Sequence, residues 1–193
     1  MTASQGIDEA HLREVFEHSE LIHDSVAVAD ALDRMASSLT AACAGEQPVF
    51  LGVMTGAIVP LGALLPRLDF ALELDYIHAT RYHGSTTGRD LLWLARPQTP
   101  LKGRDVVVFD DILDEGTTLA GILQECRDQG ATSVRTAVLM DKQHDRRVPG
   151  LQADFAGLTV PDRYVFGAGM DYRGYFRNAA GVYAIQEVFL DPD

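Results

Sequence analysis

Residues 106–118, VVVFDDILDEGTT, decide how this chain is read. Val106 to Phe109 form an unbroken apolar run of β-branched and aromatic side chains, which suits a strand buried on both faces of a sheet. The run ends abruptly in two adjacent carboxylates, Asp110 and Asp111. Ile112 and Leu113 follow, then a third acid, Asp114, and then Glu115-Gly116-Thr117-Thr118 at the head of an apolar helix. A strand, an acid-rich turn, a glycine and two hydroxyls opening a helix make a site for a phosphorylated sugar. The glycine lets the backbone approach a phosphate, the helix N-terminus aims N–H groups and partial positive charge at it, and the threonines add donors. The paired acids suit vicinal ribose hydroxyls, directly or through a hydrated Mg²⁺.

Working outward, a second unit of the same kind precedes this one. Val49 to Met54 reads as a buried strand, Thr55-Gly56-Ala57 as a short loop, and the residues through Leu65 as a helix that tolerates Pro60 near its first turn. Repeated strand–loop–helix units predict a doubly wound, mainly parallel α/β sheet with helices on both faces, binding ligands at the C-terminal strand ends. Phe70 to Tyr82 and Leu91 to Ala95 read as two strands of a hairpin around the polar loop HGSTTGRD. After the central motif come a helix from Thr117 to about Gln129, with Gly130 as its stop, and a strand from Ser133 to Met140. Val182 to Val188 reads as a final strand. Upstream, residues 8–20 and 25–43 read as amphipathic helices, the second capped by Asp24 or Ser25. His11, His18 and His23 are expected on the solvated surface, and His144 receives no role.

Composition narrows the function. With 193 residues, 47% hydrophobic and 23% charged, the chain suits one domain, residues 1–193, made of N-terminal helices at about 8–44 and a core at about 45–190. A chain of this size buries roughly 70% of its unfolded surface. A net charge of −12 argues against a nucleic-acid-binding face, so an anionic substrate must be drawn by local groups and a metal ion. No apolar run approaches the ~20 residues that span a membrane, and MTASQGIDEA has neither a basic nor an apolar leader region. Cys43 and Cys126 match no metal or redox spacing, which points to a reducing cytoplasm. A P-loop ATPase is excluded by the want of any Gly-Lys-Ser/Thr loop. A receiver domain is disfavoured because its acid pair would sit near the start of the domain.

The central run resembles the phosphoribosyl-pyrophosphate (PRPP) motif of type I phosphoribosyltransferases. Two further stretches extend the likeness to about residues 45–190. Asp141-Lys142 follows a buried strand, and PDRYVFGAGMDYRGYFRN, residues 161–178, is similar to a segment of the hypoxanthine-guanine branch. The resemblance implies PRPP, a 6-oxopurine base and pyrophosphate as ligands, Mg²⁺ as cofactor, a small hood built from the terminal segments, and a homodimer or homotetramer. It gives Asp114 the role of general base. Asp110 and Asp111 would take the ribose hydroxyls, and the run from Ile112 through Thr118 the remaining PRPP contacts, with the 5′-phosphate on Glu115 to Thr118. Thr55 and Gly56 would meet pyrophosphate together with Arg177, and Asp171 would bind Mg²⁺. Lys142, Tyr164 and the backbone of Arg163 and Val165 would hold the purine. Arg81-Tyr82 stands where the family's lid carries Ser-Tyr. Three departures stand out: Thr55 replaces a common lysine, Glu115 a neutral hydroxyl residue, and Asp110 the glutamate of mammalian-like members. The activity implied is transfer of phosphoribose from PRPP to hypoxanthine or guanine. The alternatives are a transferase for xanthine or another base, and a regulator that senses PRPP or nucleotides without turnover.

Overall fold

The computed structural model describes residues 7–81 and 91–190. In chain order the elements are α1 (Glu9–His18), β1 (Glu20–His23), α2 (Ser25–Ala42), β2 (Val49–Val53), α3 (Ile58–Leu64), β3 (Glu73–Arg81), β4 (Leu91–Ala95) and β5 (Asp105–Leu113). Then come α4 (Thr117–Asp128), β6 (Ser133–Lys142), β7 (Phe155–Val160), β8 (Val165–Phe166) and β9 (Val182–Ala184). Six strands form the main sheet in the order β4-β3-β2-β5-β6-β7. All pair in parallel except the edge strand β4, which returns antiparallel to β3. The sheet is therefore doubly wound and mainly parallel, as the repeated strand–loop–helix pattern predicts.

Strand alternation divides the core between the two faces. Phe50, Val107, Phe109 and Leu139 pack with Leu32, Leu39, Leu61 and Leu64 of α2 and α3. Leu51, Val106 and Val108 point the other way and meet Leu119, Ile122, Leu123 and Cys126 of α4. Helices therefore cover both faces, which is why β2 is buried at every position. At the N-terminus of α2 the cap is Asp24, whose side chain accepts from the Ala27 N–H at 2.8 Å.

A second sheet, β1-β9-β8, is antiparallel and joins the chain's two ends, with Glu20 opposite Ala184 and Val165 also opposite Ala184. Its small core is Val15, Phe166, Tyr172 and Ile185. This is the hood. Its strands of two to four residues are too short to show a period.

Several boundaries differ from the sequence reading. β5 does not stop at the paired acids but runs on to Leu113, because Ile112 and Leu113 still pair with Met140 and Asp141 of β6. β6 likewise reaches Lys142. The last strand ends at Ala184, and Glu187–Phe189 turn into a short 3₁₀ helix. Edge strand β7 was not expected. His11 is half-buried, its Nε2 3.0 Å from the Tyr172 hydroxyl, and His23 Nε2 lies 2.8 Å from the Thr159 carbonyl. Two of the three upstream histidines thus tie the hood down. Of the three tyrosines at 161–178, Tyr172 is buried, while Tyr164 and Tyr175 are exposed. Of the expected lid, Arg81 ends β3, and Tyr82 lies outside the described residues.

Candidate active site

The parallel register decides which side chains meet. Leu113 pairs with Asp141, so Asp114, the first residue past β5, and Lys142, the last of β6, stand side by side. Lys142 Nζ donates to Asp114 Oδ2 at 2.6 Å. At the same strand ends lies a cleft of about 370 Å³, lined by Lys142 at the end of β6 and by three further parts of the chain. Thr55 and Gly56 come from the loop after β2, and Asp110, Asp111, Ile112 and Asp114 from β5 and its turn. Tyr164, Val165, Asp171 and Arg177 come from the C-terminal segment. Tyr164 keeps 41% of its surface exposed and meets Tyr172 edge-on at 6.1 Å, which leaves its ring available to the cleft. Met54 and Met170 also line the cleft and were not foreseen.

Other expected residues stand elsewhere. Leu113 is 1% exposed, packs on the α4 side of the sheet and is not among the residues lining the cleft. The Arg163 guanidinium pairs with Glu20 and the Ile185 carbonyl instead of lining the cleft. Glu115, Gly116, Thr117 and Thr118 form the mouth of α4, beside the cleft and not among its lining residues. Gly116 has φ +81°, and a Cβ there would lie 2.2 Å from Leu151 Cδ2, so this turn requires glycine. The N-cap residue of α4 is Gly116, which has no side chain to cap the first-turn amides. The Glu115 carbonyl accepts from the Val148 N–H at 2.9 Å, anchoring the turn.

The cleft is strongly acidic. Arg177 is bound to Asp171 Oδ1 at 2.5 Å and to the Gly169 carbonyl at 2.7 Å, and it stands 3.8 Å from Asp111 Oδ2. One guanidinium thus faces two carboxylates and a backbone carbonyl. Burial, followed by the charge of Asp111, pushes the Asp110 carboxyl well above its ordinary value. Burial also raises Asp111, although Asp110 and Arg177 oppose the shift. Such a pair suits hydroxyl donors and a cation arriving with substrate.

A stability prediction follows from the raised Asp110. Its proton is held more tightly in the folded than in the unfolded chain, so stability falls as pH rises from the ordinary carboxylate range through the raised value. Asp110→Asn removes that loss and keeps an oxygen to accept the Asp111 N–H, which now reaches Asp110 Oδ1 at 2.9 Å. The unliganded variant is expected to melt higher at pH 7, by roughly 2–4 °C for each kcal/mol relieved in a chain of this size. The gain should vanish once acid protonates both states. Equal melting temperatures at pH 7 would contradict the assigned strain.

Asp114 behaves differently. Partial burial raises its carboxyl, but Lys142 and His144 together outweigh burial and hold it below the ordinary value. His144 Nε2 lies 2.8 Å from Asp114 Oδ1, and the imidazole is 2% exposed. Sequence reasoning missed this residue. The available signal was its spacing: positions i and i+2 of an extended segment share a side, which sets His144 with Lys142.

A family model described as a phosphoribosyl transferase domain matches residues 18–173. Hypoxanthine-guanine phosphoribosyltransferase of Streptococcus pneumoniae (strain ATCC BAA-255 / R6) is 31% identical over 166 residues, covering 86% of this chain and 91% of that protein. The Bacillus subtilis (strain 168) protein of the same name is 32% identical over 145 residues, covering 75% and 80%. Among solved structures, a hypoxanthine phosphoribosyltransferase from Staphylococcus aureus superposes with a TM-score of 0.85 at 24% identity, covering 96% of this chain and 100% of that one. A structure named hypoxanthine-guanine-xanthine phosphoribosyltransferase superposes with a TM-score of 0.79 at 27% identity, covering 87% and 97%. With the domain match spanning most of its length and these identities behind it, the chain belongs to the hypoxanthine-guanine phosphoribosyltransferase family.

Proposed function

We propose that the cleft transfers 5-phosphoribose from PRPP to hypoxanthine or guanine, giving IMP or GMP and pyrophosphate in purine salvage. The observation that carries this reading is the Lys142–Asp114 contact of 2.6 Å at the floor of the cleft. A 6-oxopurine with its proton on N7 presents a carbonyl acceptor and an N–H donor side by side. An ammonium beside a carboxylate is the matching pair, since one can only donate and the other, when ionised, can only accept. Adenine would turn its amino donor toward Lys142, leaving two donors face to face.

The chemistry then divides among the residues. Tyr164 stacks on the purine, with Val165 and the Arg163 backbone beside it. Asp110 and Asp111 orient the ribose, and the amides at Glu115 to Thr118 hold the 5′-phosphate. The N9–C1′ bond forms as the C1′–oxygen bond to pyrophosphate breaks, its electron pair leaving on pyrophosphate. The N7 proton passes to Asp114. Positive charge on the sugar is balanced by carboxylates already in place. Thr55, Gly56 and Arg177 face the departing pyrophosphate, and Arg81-Tyr82 would close over the site against water. Magnesium fits this acidic cleft: Asp171, with Asp110 and Asp111 nearby, supplies hard oxygen ligands, and the family's PRPP supplies the remainder. Mg²⁺ usually keeps several waters and binds through one or two carboxylates together with substrate phosphates, so Asp171 and its neighbours would suffice. When bound, the ion would neutralise pyrophosphate charge.

Cytoplasmic location is part of the proposal, supported by Cys43 and Cys126 being free and buried. No helix among the described residues is long and apolar enough to cross a membrane. Self-association is proposed from the family likeness, and a monomer mass in sedimentation at micromolar concentration would remove it.

The test is to mix the protein with PRPP, Mg²⁺ and each purine in turn and follow nucleotide formation. Products are expected with 6-oxopurines and not with adenine, and Lys142→Ala should relax that discrimination. Retained discrimination would place the selecting group elsewhere. No nucleotide from any 6-oxopurine would move the reading to a ligand-sensing role.

A further inference from the structure

The assigned base, Asp114, uses both carboxylate oxygens in this structure. Oδ2 accepts from Lys142 and Oδ1 lies against His144 Nε2 at 2.8 Å. The other imidazole nitrogen settles what His144 can do. The Arg146 backbone N–H donates to His144 Nδ1 at 3.0 Å, so Nδ1 is the lone-pair nitrogen and Nε2 carries the hydrogen. A ring this deeply buried, with both nitrogens engaged, is a fixed donor toward Asp114.

We propose that His144 is the positioning residue of the transfer reaction: as the neutral Nε2–H tautomer it pins Asp114 Oδ1, so that only Oδ2, on the Lys142 side, is presented to the purine's N7 proton. The inference rests on the function proposed above and adds a residue to it. Arrival of the purine draws Lys142 toward the carbonyl at C6 and frees Oδ2, while His144 keeps the carboxylate from rotating. Neutrality matters, because an imidazolium would oppose protonation of the carboxylate more strongly than a neutral donor does. The charged groups around the pair include Lys142, Arg146, Asp162 and Glu115, and Arg147, which donates to the Leu113 and Lys142 carbonyls and pairs with Asp141. Arg146 is held by Asp162 at 2.6 and 2.7 Å, which keeps its guanidinium turned to that partner.

The experiment compares His144→Ala and His144→Gln with the unaltered protein. Losing one hydrogen bond to a charged group should lower kcat by about 10–100-fold. The KM for PRPP should stay unchanged, because His144 touches no part of the sugar-phosphate site. Removing a donor also raises the Asp114 carboxyl, so the acid limb of the kcat profile should move to higher pH. His144→Gln, whose amide nitrogen can replace Nε2, should restore both kcat and the limb. In the unaltered protein, ¹⁵N spectra at neutral pH should show Nε2 protonated and Nδ1 bare, a readout independent of turnover. A merely structural histidine would lower the melting temperature and the active fraction with the acid limb unmoved. That result, an unchanged kcat, or the Nδ1–H tautomer would each overturn the proposal. Failure of the function itself looks different: the unaltered protein would form no nucleotide.

Discussion

Asp114→Asn is expected to lower kcat by about 10²–10⁴-fold, the usual range for a lost general base, while PRPP binding survives. Binding should survive because the groups assigned to the sugar phosphate lie elsewhere, at Asp110, Asp111 and the mouth of α4. The fold should tolerate the change, since the amide has nearly the carboxylate's shape and its oxygen can still accept from Lys142, now 2.6 Å away, leaving the His144 contact as the one unmatched. What is lost is proton affinity. In the unliganded state that affinity is already suppressed, for Lys142 and His144 hold the carboxyl below its ordinary value. Transfer of Lys142 to the purine's carbonyl would relieve part of the suppression at the moment a base is needed. The same group must return the proton when IMP and pyrophosphate react backwards. Since the overall equilibrium cannot change, forward and reverse rates should fall together. Single-turnover measurements in both directions check this, and an unchanged kcat in either would dispossess Asp114 of its role.

How far such chemistry could be read from the chain depends on how local its signal is. The strands β2 and β5 announce themselves because helices cover both their faces and each carries a continuous run without a polar side chain, 49–53 and 106–109. The turn at Gly116 is equally legible, since glycine before two threonines at a helix start has a direct backbone reason. β7 escaped because Gly157 interrupts it. A Cβ there would lie 2.8 Å from the Leu139 carbonyl oxygen of β6 and 2.9 Å from Met35 Sδ of α2, and no short-range pattern encodes such close approaches. The hood strands pair residues 20–23 with 182–184 across nearly the whole sequence, with too few residues in each to set a period. His144 is the instructive omission. It stands 30 residues from Asp114 in the chain, and only the parallel register of β5 on β6 carries the two ends together. The same register sets Lys142 against Asp114, yet Lys142 was named because the family pattern points to it.

Gly56 shows a residue chosen for one reason and found to serve another. From sequence, its use is to let the backbone approach pyrophosphate. In the structure a Cβ at that position would lie 2.0 Å from Asp111 Oδ2, 2.3 Å from its Cγ and 2.8 Å from Oδ1. Asp111 cannot retreat freely: it is 9% exposed, its Oδ1 accepts from the Ile112 N–H at 2.8 Å, and Arg177 stands on its other side. Gly56→Ala is therefore expected to displace the Asp111 carboxylate and lower kcat/KM for PRPP by about 10²-fold, the effect of roughly 1 Å of misplacement in a catalytic constellation. A double-mutant cycle separates the two explanations. Asp111→Ala alone should cost activity by removing a ribose contact, and it also removes the atoms that the new methyl group strikes. If crowding of Asp111 is the cause, Gly56→Ala should cost little further in that background, and the two losses will be strongly non-additive. If the glycine serves pyrophosphate through its own backbone, the methyl group obstructs the ligand whether or not Asp111 is present. The losses would then multiply, and the packing explanation would fail.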